Sequence, residues 1–259
     1  MSQKPTKIEQ ITDPDMRFYE VEPGLYYPSM TTILGLGCPA PKFLIKWWKQ
    51  NGFMSDFLME KAGYEGTQVH NAIENFLLGE ELSIEIFGKN IYLWEMLCKF
   101  AEFFFTHVRT VHEVEKMSFS HEFKIAGMRD LVCTLNDGYT WLIDFKTSNY
   151  VSDKFSVQTF GYKAMAEEQE GLQIDRRGVL HLKAQTRGAR KGKIQGKGWQ
   201  LVEHTDDEGD RQKLILAKDT FDIYNPNAKP NLRKYPVTLS ILQPFSFGEY
   251  TFDATEIED

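Results

Sequence analysis

Asp130, Asp144 and Lys146 are the side chains whose types and spacing suggest chemistry. In Trp141-Leu142-Ile143-Asp144-Phe145-Lys146, strand alternation places Leu142, Asp144 and Lys146 on one face and Trp141, Ile143 and Phe145 on the other. A second strand is expected over Met128 to Leu135, and Asn136-Asp137-Gly138 between the two is turn chemistry. Loop length decides what the strands bring together. A two-residue turn at Asp137-Gly138 sets Asp130 opposite Phe145 and turns it away from Asp144. A three-residue loop, Asn136 to Gly138, sets Asp130 opposite Asp144. Directly opposed residues hold their side-chain carbons about 4.5–5.5 Å apart, where two like charges destabilise the pair unless something compensates them. A divalent cation is the compensation that fits two carboxylates, and an ammonium beside it can hold a phosphate or an attacking water.

Further candidates lie on either side. A helix is expected from Gly66-Thr67 to Leu78, with Val69, Ile73, Phe76 and Leu77 on its core stripe and His70 one position off it. A helical histidine standing alone is more often a hydrogen-bonded or exposed residue than a ligand. Glu74, one turn on, is placed to orient its imidazole. Ser152 or Asp153 caps a helix with Val157, Phe160, Gly161 and Ala164 facing the core and Gln158 and Tyr162 as a neighbouring stripe. Arg187, Arg190, Lys191, Lys193 and Lys197, interleaved with glycines, form the most basic stretch of the chain and suit a loop that follows phosphates.

Four features in order, His70 in Gly66-Thr67-Gln68-Val69-His70, Asp130 in Gly127-Met128-Arg129-Asp130, Asp144-Phe145-Lys146, and Gln158-Thr159-Phe160-Gly161-Tyr162, resemble the PD-(D/E)XK phosphodiesterase superfamily, in its RecB-like exonuclease branch. The likeness spans roughly Pro28 to Leu182, and Tyr27 to Leu34 is similar to the segment before the core in phage-encoded and mitochondrial members. The resemblance implies an α/β fold with a restriction-endonuclease-like core, a mixed central β-sheet flanked by helices and preceded by an N-terminal helical lobe. It implies a DNA exonuclease acting from single-stranded ends in recombination, repair or replication. His70, Asp130 and Asp144 would ligate Mg²⁺ or Mn²⁺ with the backbone carbonyl of Phe145, Lys146 would orient the nucleophile, and Gln158 and Tyr162 would position the strand. An imidazole ligand makes Mn²⁺ at least as suitable as Mg²⁺. Cys38, Cys98 and Cys133 cannot supply the four-cysteine iron–sulfur cluster of some relatives, so none is expected. The alternatives are a structure-selective endonuclease on the same core and a nucleic-acid-binding protein without turnover.

The elements that must hold these residues follow from composition and pattern. The 259 residues are 42% hydrophobic with a formal charge of −7, enough for one sizeable core and unsuited to coating nucleic acid through overall charge. An extended arm is expected over residues 1–26, and a single nuclease domain over 27–225. That domain divides into a helical lobe (27–111), a catalytic core (112–184) and a part with the basic loop, a hairpin and a closing helix (185–225); a tail follows over 226–259. Short helices are expected at Phe43–Trp48 and Phe53–Met59, with Trp47, Trp48 and Phe57 free to stack bases or to pack the lobe. An aromatic-rich helix is expected from Gly88 to Val111, and strands at 117–124, 128–135 and 140–146, with Glu122 in the first as a possible further acid. A fourth strand at Gly178–Lys183, an acidic hairpin tip at Asp206 to Asp210 and a helix near Leu214–Tyr224 complete the reading. No apolar run approaches ~18 residues, so no membrane contact is expected and the location is read as the cytoplasm of a bacterial or phage-infected cell.

Overall fold

The computed structural model describes residues 9–12, 16–182, 198–230, 240–247 and 250–254. The N-terminal segment is a small antiparallel sheet of β1 (Glu9–Thr12), β2 (Arg17–Glu22) and β3 (Leu25–Pro28), in place of the expected extended arm. Phe18, Tyr19 and Val21 of β2 are all buried, and Tyr19 and Val21 pack with Tyr27 onto Ala126, so this short sheet gains its stability from the core beneath it. Helix α1 (Met30–Gly37) starts where the Ser29 hydroxyl accepts the Thr32 N–H.

Helix α2 (Lys42–Asn51) ends at Gly52, whose φ of 53° suits a residue without a Cβ. Helix α3 (Met54–Leu77) is a single 24-residue helix. The two segments read separately, Phe53–Met59 and Gly66–Leu78, are parts of it, because the intervening Gly63 and Gly66 lower helix propensity without breaking the hydrogen-bond ladder. Helix α4 (Ile91–His107) is shorter than the aromatic pattern suggests, and its chain continues directly into strand β4 (Val108–Ser120). Phe104 and Phe105 belong to the helix and Val108 to Val111 to the strand, a boundary that an unbroken apolar run conceals.

Strands β5 (Ile125–Leu135) and β6 (Thr140–Lys146) complete an antiparallel meander with β4. Helix α5 (Lys154–Glu170) then crosses over to β7 (Arg176–Leu182), which lies parallel to β6, and β8 (Trp199–His204) returns antiparallel to β7. The central sheet is therefore mixed and five-stranded, in the order β4-β5-β6-β7-β8. The residues Asp206 to Asp210 are a helix start, not a hairpin tip: Asp206 accepts the Gly209 N–H and opens α6 (Asp207–Tyr224), where acidic side chains complement the N-terminal end of the helix. Beyond it, β9 (Phe245–Phe247) and β10 (Tyr250–Phe252) pair within the segment read as a tail.

Helices cover both faces of the sheet. Val69, Ala72 and Ile73 of α3 and Leu93, Met96, Leu97, Phe100 and Phe103 of α4 pack on Leu131, Cys133, Trp141, Ile143 and Phe145. Helices α1, α5 and α6 pack on Val132 and Leu142 of the other face through Met30, Ile33, Val157, Met165, Leu214 and Phe221. The alternation read for Trp141 to Lys146 is thus the division between two cores. This is an α/β protein with six α-helices and a mixed central sheet among the described residues.

Candidate metal centre

The β5–β6 ladder runs from Thr134 opposite Thr140 to Leu131 opposite Ile143. It is closed by the three-residue loop, with the Leu135 N–H donating to the Tyr139 carbonyl at 3.2 Å and Gly138 at a φ of 86°. One residue further in that register, Asp130 stands opposite Asp144. The β4–β5 ladder pairs Val114 with Leu131 and Lys116 with Arg129, which sets Glu115 opposite Asp130 on the other side. Glu115, Asp130 and Asp144 therefore form a row of carboxylates across three neighbouring strands. The sequence reading found two of them. Glu115 fell in the stretch left between the expected helix and strand, and its only signal was acidity beside an unassigned boundary. Glu122, the acid considered in its place, lies beyond the end of β4, exposed and 2.7 Å from Arg211.

Each carboxylate is held differently. Asp130 is buried, its Oδ2 accepts the Phe145 N–H at 2.6 Å and lies 3.5 Å from Nδ1 of His70. Burial opposes its charge, but the imidazole, Lys146 and that N–H outweigh burial and hold its carboxyl below the usual range. For His70 burial favours the neutral ring, and the Asp130 carboxylate overrides it and raises the imidazole pKa. Asp144 is also buried. Its Oδ2 is 2.5 Å from Nζ of Lys146, and its Oδ1 accepts from Nε2 of Gln158 at 3.2 Å. Burial and the neighbouring Asp130 push its carboxyl up to about 6 despite the ammonium. Glu115 has a φ of 44°, the left-handed region that side chains other than glycine's enter at a cost of order 1–3 kcal/mol. Burial, then the charges of Asp130 and Glu74, push its carboxyl up to about 8. Burial first, and the charge of Asp130 with it, thus raises two of the three adjacent carboxyls above their ordinary values.

Elements from both helical layers build the rest of the site. Helix α3 anchors Val69, Ala72 and Ile73 in the core and so fixes His70, whose ring meets Phe145 edge-on at 5.8 Å. A Cβ on Gly66 would stand 3.1 Å from Oγ1 of Thr147, so the helix passes close to the chain just beyond Lys146. From the opposite layer, α5 supplies Gln158 and Tyr162, both buried, with Nε2 of Gln158 donating to the Tyr162 hydroxyl at 2.9 Å. A Cβ on Gly127 would stand 2.7 Å from the Tyr162 ring, so glycine there lets the ring lie against β5. The Lys146 ammonium also sits 4.8 Å from the centre of the Phe155 ring, a cation–π distance.

Ligand atoms of His70, Glu115 and Asp130 all lie within 4.8 Å of one another. An imidazole nitrogen with two carboxylate oxygens suits a divalent ion of intermediate hardness. Asp144, expected with Asp130 and His70 as a ligand, stands outside this trio with its oxygens engaged by Lys146 and Gln158, and Glu115, which the sequence reading did not single out, stands within it. Phe145 takes part through its N–H to Asp130, and its ring is buried against Phe100. The basic residues Arg187, Arg190, Lys191, Lys193 and Lys197 lie outside the described residues. No helix is long and apolar enough to cross a membrane among the described residues. The arrangement can hold a cation against one side of a carboxylate row while presenting an ammonium at the other. No protein-family model matches the chain, and no curated protein matches it.

Proposed function

We propose that this protein is a divalent-metal-dependent deoxyribonuclease with a restriction-endonuclease-like core, hydrolysing DNA phosphodiesters from single-stranded ends. The observation that carries the reading is the acidic row Glu115, Asp130 and Asp144 with Lys146 bound to its last member, on adjacent strands flanked by helices that deliver His70 and Gln158. His70, Glu115 and Asp130 would hold the ion, Mn²⁺ or Mg²⁺, beside the Asp144–Lys146 pair. When bound, such an ion polarises a phosphoryl oxygen and lowers the pKa of water. Lys146 carries charge toward the nonbridging oxygens and orients the attacking water. Asp144 keeps that ammonium in place and is itself placed by Gln158, whose amide also tethers the Tyr162 hydroxyl beside the strand. Recombination, repair or replication in a bacterial or phage-infected cell is the setting in which such an activity would serve.

Linear end-labelled single-stranded DNA and a covalently closed circle of the same sequence test the end requirement. With Mn²⁺ or Mg²⁺ the linear strand is expected to be degraded and the circle to survive, and EDTA stops both reactions. Rapid fragmentation of the circle by a pure preparation would reject the exonuclease and leave an endonuclease on the same residues.

A further inference from the structure

Helix α2 is the one helix among the described residues in which no side chain is buried. Lys42, Lys46 and Lys49 recur at intervals of four and three, so they form one stripe along it, and all three are exposed. The helix contains no acidic residue, although the whole chain carries a charge of −7. Phe43 and Ile45, 49% and 39% exposed, flank the stripe on either side. Just past the end of the helix stands Phe53, 90% exposed. A cationic, apolar-flanked helix whose lysine face is covered by no element among the described residues meets the description of a surface kept for a polyanion that also offers flat apolar groups.

Its position relates it to the carboxylate row. Trp48 fixes α2 to α3 through its Nε1 and the sulfur of Met59, 3.4 Å apart, and α3 runs on to His70. On its other flank the Phe43 ring packs edge-on against Tyr150, with centroids 4.4 Å apart, and Tyr150 lies in the segment that follows Lys146. Helix α2 therefore bridges α3, which carries His70, and the segment that follows Lys146. One side of α2 is engaged on α3, and its exposed Phe43 and Ile45 stand on opposite sides of the lysine stripe, so they do not form the single apolar face that a helix lying in a lipid surface buries.

We propose that α2 is a docking surface for single-stranded DNA, its phosphates following Lys42, Lys46 and Lys49 and its bases resting on Phe43 and Phe53. The proposal rests on the reading of the protein as a deoxyribonuclease, and its test requires no cleavage. Fluorescence anisotropy of a labelled twenty-nucleotide oligothymidylate is followed in EDTA over a range of salt, for the full chain and for Lys42→Gln/Lys46→Gln/Lys49→Gln. The triple variant is expected to bind roughly tenfold more weakly, and its slope of log affinity against log salt should shrink by up to about 2, near 0.7 for each lost contact. Phe53→Ser, at a position too exposed to affect folding, should weaken binding several-fold and leave the slope unchanged. Equal affinity and slope for the triple variant and the wild type overturn the proposal, as does a wild type that does not bind the oligonucleotide. Lysine-dependent binding to phosphatidylglycerol vesicles with oligonucleotide binding intact overturns it in favour of a lipid surface. Lysine-dependent DNA binding without hydrolysis in Mn²⁺ would leave the surface standing and remove the nuclease reading.

Discussion

Asp130 sits between two other carboxylates and is the one whose pKa falls below the ordinary carboxylate value, because it alone gains both a backbone N–H and the imidazole of His70. Glu115 and Asp144 carry the cost of that arrangement. The pairing of Asp130 with Asp144 was one of two that alternation allowed, and the three-residue Asn136–Gly138 loop of the structure selects it. Glu115 was not legible, since its place depends on the register of β4 against β5 and on a left-handed backbone that no residue type there announces. If these side chains hold an ion, losing one should weaken binding at least roughly tenfold, the scale seen even for groups that only orient ligands. Calorimetric titration with Mn²⁺ should show this for His70→Ala and for Glu115→Gln. Wild-type affinity in Glu115→Gln would return the third ligand place to Asp144, and wild-type affinity in both variants would remove the metal centre.

Helix α6 shows how an element can be misread and why it matters. Asp206 to Asp210 has turn composition, and only the Gly209 N–H bound by the Asp206 carboxylate distinguishes a capped helix from a hairpin tip. The buried Arg177 of β7 decides the matter at longer range: its guanidinium donates to Asp207 and Asp210 at 2.7 Å each, and to the Ser156 carbonyl of α5 at 2.7 Å. One side chain thereby ties the sheet to α5, the helix that carries Gln158, and to α6. Burial opposes charge on Asp210, but Ser156, Arg177 and Lys213 override it and hold its pKa below 3.8. A depressed carboxyl contributes stability that is complete above its unfolded value and is lost as pH falls through the folded one. Thermal melts of the wild type should therefore weaken below about pH 4, and Asp210→Asn should show a smaller loss there. At neutral pH the same variant removes one of the two carboxylates on a buried guanidinium and leaves Asp207 as the other, at a cost of about 1–3 kcal/mol. An acid limb identical to the wild type's would show that the pair does not carry this linkage.

For the whole molecule, the mixed sheet between helical layers was expected from the family resemblance, and of its parts Trp141 to Lys146 was legible by strand alternation, whereas α5 is buried without a break from Val157 to Tyr162 and shows no such period. The N-terminal sheet was not legible, since short strands between prolines look like punctuation until Ala126 is there to pack against. The architecture places the acidic row where both layers can reach it: α3 brings His70 from one side, and α5 brings Gln158 and Tyr162 from the other. Hydrolysis at that row is the central claim, and Asp144→Asn tests it most directly, because the amide keeps the shape of a buried side chain and removes the charge that holds Lys146. Nucleotide release from linear DNA with single-stranded ends should be measured in Mn²⁺ for the purified wild type and for this variant, with melting temperatures recorded alongside. The expected result is metal-dependent release by the wild type and a loss of about a hundred- to a thousandfold in a folded Asp144→Asn protein, the scale on which removing one group that stabilises developing charge acts. Wild-type-like turnover by the variant, or no metal-dependent release by the wild type, would contradict the account.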